Sequence, residues 1–156
     1  MSRVEPTVLE LESFLPYRLS VLANRVSAAI AADYAERFGL TIPEWRVMAA
    51  LGRFPGLSAA EVAGFTAMDK VAVSRAVARL LAAKRVLRTH AAEDRRRSVL
   101  RLSPAGERIY REIVPLARRH ERHLAGALSV AEREALDRLL DKLLASADAD
   151  LAASGA

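Results

Sequence analysis

The sequence predicts a mainly α fold carrying one small β-hairpin, and three observations predict it. Apolar residues recur at three- and four-residue spacing through most of the 156 positions. Three Ser/Thr-x-x-Glu boxes, Thr41–Glu44, Ser58–Glu61 and Ser129–Glu132, mark helix starts. The segment from Val86 to Leu102 alone changes to short β-branched runs around a polar turn.

Taken in order, Leu15, Leu19, Leu22, Val26 and Ile30 lie at helical spacing in a helix predicted from Glu12 to Phe38, with Gly39 as its stop. The box at Thr41, with Pro43 in the first turn, opens a helix from Pro43 to Arg53 that ends at Pro55-Gly56. The box at Ser58 starts a short helix from Ala59 to about Phe65, and Asp69 is the N-cap of a helix from Lys70 to about Lys84. Val86 to His90 and Ser98 to Leu102 are the two strands, joined by AAEDRRR as a charged tip. Ser103-Pro104 opens a helix to about Leu128, with Ile109, Ile113, Leu116, His120 and Leu124 on one side. Pro115 is expected to kink that helix or split it. The box at Ser129 starts a last helix with the stripe Leu136, Leu139, Leu140, Leu143 and Leu144, and the tail DADLAASGA is expected to fray. There is no internal repeat.

Composition narrows the function classes. The chain is 52% hydrophobic, enough for one compact domain and too much for a disordered one. It has no cysteine, which excludes disulfides, thiolate metal sites and thiol redox sensing. No apolar run approaches the ~18 residues of a membrane span, and MSRVEPTVLELES lacks the apolar core of a signal peptide, so a cytoplasmic location away from membranes is expected. Phosphate-binding glycine loops, G-x-S-x-G and H-E-x-x-H are all missing, so no enzyme is expected. His120 and His123 are three apart on a helix, but two ligands do not make a metal site, and neither metal nor cofactor is expected.

Charge is the sharper datum. The net charge is +5, yet Thr41 to Ser103 holds twelve Lys/Arg against five Asp/Glu while the flanks hold twelve against fourteen. The whole positive excess therefore sits in the segment of short helices and hairpin, the footprint of a phosphate-backbone partner. On a helical wheel Val73, Val77, Leu80 and Leu81 of the Lys70 helix group toward the core. Val71, Ala72, Arg75, Ala78 and Arg79 group opposite, with Ser74 at the margin. Small residues permit close approach to a DNA groove, arginines reach guanine or phosphate, and Val71 can meet a thymine methyl. Lys70 and Ser74, near the helix start, can hold a phosphate or a base edge. In the tip, Arg95, Arg96 and Arg97 repel one another unless phosphates neutralise them, and Asp94 can pair with one and fix its direction.

This array of capped helices, the helix VSRAVARL and the hairpin EDRRRSVLRLSPAG resembles the MarR family of winged helix-turn-helix transcriptional regulators, over about Leu11 to Leu144. The most specific match is Asp94-Arg95-Arg96, then Val99 to Leu102, Ser103 and Gly106; the family usually has Thr where this chain has Ser103. The resemblance implies that Arg96 enters the minor groove with Asp94 as its orienting partner, and that Lys70, Val71, Ser74, Arg75 and Arg79 meet the major groove. It implies a homodimer on a pseudo-palindromic double-stranded operator, usually a repressor, and often release by a small aromatic or phenolic carboxylate. On this reading 41–103 is the DNA-binding region, and 1–40 with 104–156 form a helical dimerisation region. Tyr17, Arg18, Trp45 and Arg46 come from the elements that line the family's effector cleft. An arginine beside an aromatic suits a planar carboxylate. Trp45 reads equally as a core anchor, and Arg18 and Arg46 as surface or ion-pairing residues. The rival to sequence-specific regulation is an architectural DNA binder without effector, against which the exposed Val71 and Ala72 argue, since non-specific binding needs only charge.

Overall fold

The computed structural model describes residues 8–155. Its elements run α1 (Leu15–Phe38), α2 (Ile42–Arg53), α3 (Ala59–Thr66), α4 (Lys70–Ala82), β1 (Val86–His90), β2 (Ser98–Leu102), α5 (Pro104–Ala125) and α6 (Val130–Ser154). The mainly α class with one hairpin stands, and all three capping boxes form with both reciprocal hydrogen bonds.

Four expectations need correction. α1 begins at Leu15 and not at Glu12, because Pro16 is tolerated only in a first turn; further inside, its ring would meet the carbonyl four residues back. α5 is not split at Pro115 but passes through it as one helix, so of the two outcomes expected there the split is the one overturned. Arg111 and Pro115 are both exposed, so water can replace the bond that proline cannot donate. α5 stops at Ala125, where Gly126 donates to the Arg122 carbonyl, short of the expected Leu128. The C-terminal tail continues α6 to Ser154, as its alanines and leucines favour, with the Ser154 hydroxyl bonded to the Asp150 carbonyl.

The chain divides into two compact units, Met1–Ala117 and Arg118–Ala156. The first holds the core. Val47, Met48 and Leu51 of α2, Val62 of α3, and Val73, Ala76, Val77 and Leu80 of α4 pack with Val86, Leu100, Tyr34 and Ile113. The second carries α6, none of whose residues is buried.

A buried node ties the hairpin base to the helices around it. Lys84 adopts φ +56°, ending α4 and turning the chain into β1. The Ser103 hydroxyl donates to the Lys84 carbonyl at 2.7 Å and accepts from the Gly106 N–H at 3.0 Å, capping α5. Gly106 is required by close approach: a Cβ there would lie 2.0 Å from the Arg85 carbonyl oxygen. Arg85 in turn donates to the Phe38 carbonyl at the end of α1. Ser103→Ala should lower stability by about 1–2 kcal/mol, read as a lower denaturant midpoint at unchanged slope. An unshifted midpoint would show that the buried hydroxyl is dispensable.

Candidate nucleic-acid interface

α3 and α4 are joined by a tight turn in which Ala67 takes φ 52°, and the Asp69 carboxylate then caps α4 by accepting from the Ala72 N–H at 2.8 Å. With its start held, α4 buries Val73, Ala76, Val77 and Leu80 against α2 and α3. The opposite face is open: Lys70, Val71, Ser74, Arg75, Ala78 and Arg79 are exposed, Val71 at 59%. This is the division the wheel predicts, with three differences: Ala76 joins the core side, Leu81 is only half-buried, and Ala72, expected on the exposed face, is half-buried.

Arg75 and Arg79 do not stand alone. They line a groove of about 340 Å³ with Thr41 and Pro43 of the α2 start. The groove thus brings two guanidinium groups beside the start of α2, whose own N-terminal groups are already engaged by the Thr41–Glu44 capping box. Thr41 and Pro43 are legible in the sequence only as a helix start; their place beside α4 comes from packing.

The hairpin has the expected strands, Val86 opposite Leu102 and His90 opposite Ser98. One feature is absent from the sequence pattern. Leu57, between α2 and α3, bridges Leu100 on the outer edge of β2, with the Leu100 N–H donating to the Leu57 carbonyl at 2.8 Å. β2 is therefore paired along both edges, and it buries Val99, Leu100 and Leu102 while β1 buries only Val86.

The tip is ordered by backbone bonds. Asp94 uses its carboxylate to accept from the Arg96 N–H at 2.9 Å, and its carbonyl accepts from the Arg97 N–H at 3.0 Å. Asp94 thus orients Arg96 through the main chain and not through the guanidinium pairing expected from sequence. Arg95 and Arg96 are exposed and form no ion pair among the described residues. Arg97 differs: its guanidinium pairs with Glu61 Oε1 of α3 at 2.5 Å. The other Glu61 oxygen accepts from the Ser58 N–H at 2.7 Å. The Ser58 backbone bond, the Arg97 guanidinium and the Ser58 hydroxyl together hold the Glu61 carboxyl down at about 2. Glu61 is therefore ionised at any pH near neutrality.

The four effector candidates fall in two places. Trp45 is half-buried between the rings of Tyr34 and Tyr110, at 5.8 and 5.9 Å, and Arg46 donates to the Ser27 hydroxyl at 3.1 Å. Burial pushes the Tyr34 phenol up to about 12, against the pull of Arg46. Trp45 and Arg46 also line a depression of about 330 Å³ with Phe54, Phe65 and Thr66. Tyr17 and Arg18 line a separate groove along α1 with Leu15, Leu22 and Arg25. Among the described residues no three His, Asp or Glu side chains cluster as a metal site, and no helix is long and apolar enough to cross a membrane.

Comparison with known proteins agrees with this geometry. Residues 38–97 match the MarR family profile, from the end of α1 to the hairpin tip. The HTH-type transcriptional repressor Rv2887 of Mycobacterium tuberculosis is 28% identical over 131 residues, covering 83% of this chain and 91% of the relative. Among solved structures, a MarR/EmrR family transcriptional regulator from Acinetobacter sp. ADP1 superposes with a TM-score of 0.82 at 26% identity, covering 90% of this chain and 99% of that one. BpsR of Bordetella bronchiseptica, whose DNA binding is regulated by 6-hydroxynicotinic acid, superposes with a TM-score of 0.75 at 28% identity, covering 87% and 96%.

Proposed function

We propose that the chain is a MarR family transcriptional regulator and not an enzyme, acting in the cytoplasm as a homodimeric repressor on a pseudo-palindromic operator, a reading supported by the family match over residues 38–97 and by its repressor relatives. The observation that carries the reading is the open face of α4 together with a tip where Arg95 and Arg96 form no ion pair among the described residues. In it Lys70, Val71, Ser74, Arg75 and Arg79 read the major groove, while Arg95 and Arg96, oriented by Asp94, follow the flanking minor groove and its phosphates. Residues 41–103 form the DNA-binding region, and 1–40 with 104–156 form the dimerisation region.

Two further observations support the dimer. Leu15, Leu19 and Leu22 of α1 are 40–51% exposed, and so is a leucine stripe on α6 from Leu136 to Leu144 at 37–62%. Continuous apolar stripes of this length are costly in water, and a two-fold copy is the partner that sets two α4 helices about one helical turn, ~34–36 Å, apart. For the effector, Trp45 and Arg46 line one depression and offer an aromatic wall and a cation to a planar aromatic carboxylate, with Tyr17 and Arg18 as a second contact region. BpsR's regulation by an aromatic acid favours this class.

Binding to DNA upstream of the chain's own gene, compared with random DNA across a salt series, tests the regulator. A specificity of ~10³ or more is expected, and a ratio below ~10 would favour the architectural reading. Addition of aromatic acids to the preformed complex should release the operator.

A further inference from the structure

Arg97 occupies the tip of the hairpin, yet the fold has already engaged it. Two contacts hold β2 and the tip to the rest of the reader from the α3 side. The Leu57–Leu100 bridge secures the middle of β2, and the Arg97–Glu61 pair secures the tip, 36 residues apart in sequence. The same carboxylate, through its other oxygen, closes the capping box at the start of α3. Glu61 therefore joins the helix that precedes α4 to the arm that carries Arg95 and Arg96.

We propose that Arg97 is a positioning residue and not a phosphate ligand: its pairing with Glu61 clamps the hairpin tip to α3 and so aims Arg96 at the DNA. The inference rests on the DNA-binding reading above, but the clamp also has a consequence in the free protein. It makes an unusual demand on sign. Removing a carboxylate from a DNA-facing surface ordinarily strengthens binding, because one repulsion with phosphate disappears. Here the loss of Glu61's charge weakens it, because the tip is no longer held.

Glu61→Gln, Arg97→Gln and the double variant provide the test. Glutamine keeps an oxygen for the Ser58 N–H, so the capping box and the fold survive. Each single variant is expected to lower affinity for the chain's own upstream DNA about three- to fivefold, and the double no further than the singles. The salt dependence of binding should keep its slope, since no phosphate contact is lost. Without DNA, amide exchange of the tip residues 91–97 should rise in both singles. Glu61→Gln binding as tightly as the parent or more tightly would overturn the proposal. So would a salt slope reduced by about one in Arg97→Gln, the sign of a direct phosphate contact. Unchanged tip exchange would overturn it independently of any DNA, which separates failure of the clamp from failure of the DNA-binding reading.

Discussion

Leu140→Lys with Leu143→Lys should convert the protein to a monomer that no longer binds its operator tightly. Both side chains lie on the stripe of α6, 37% and 41% exposed in a single chain, so the lone protomer loses little packing and its helical circular dichroism should hold. In the proposed dimer each leucine has only its remaining 37–41% exposure left to bury, about 0.6–1.2 kcal/mol, and two-fold symmetry counts every substitution twice. A lysine ammonium cannot be buried there unpaired, which adds to the loss. A single reader keeps only its own contacts, so affinity should fall at least about 100-fold, toward the 10⁻⁴–10⁻⁶ M of non-specific binding. Sedimentation measures the first effect and operator titration the second. A variant that stays dimeric would place the interface elsewhere.

Arg96→Ala should weaken operator binding about 10- to 100-fold, or about 1–3 kcal/mol, while leaving thermal unfolding and dimerisation unchanged. The side chain is exposed and makes no ion pair among the described residues, so its removal leaves none of them without a partner in the free protein. Its main chain, by contrast, is fixed by the Asp94 carboxylate, so the side chain leaves the tip from a set backbone position. The loss should be greatest for operators with A·T-rich flanks, whose narrow minor groove concentrates negative potential. Unchanged affinity would reject the minor-groove role.

The contrast between Arg96 and Arg97 shows what kind of knowledge the sequence holds. Three adjacent arginines are equivalent in a one-dimensional pattern, and all three read as DNA contacts. Folding separates them, because Glu61 lies within reach of only one. The family resemblance groups Tyr17 and Arg18 with Trp45 and Arg46, and within one chain the two pairs line different depressions. Thr41 and Pro43 read as a helix start and turn out to wall a groove with Arg75 and Arg79.

The chain's own sequence determined what depends on neighbours within a turn or two. The helical spacing of apolar residues, the three capping boxes, the Asp69 cap, both strands and the core and groove sides of α4 all follow from such short-range rules. It also determined the character of the interface, since charge is carried by residue type and not by packing. Only the tertiary structure decided how distant segments share groups: the Leu57 bridge to β2, the Arg85 bond to the end of α1, the Ser103–Gly106 node and the Arg97–Glu61 clamp. Each joins residues through one or two hydrogen bonds, an ion pair or a close approach that leaves no periodic trace. The physical reason is that periodicity records which face of an element is buried, while the choice of partner is settled by three-dimensional proximity once those faces have met.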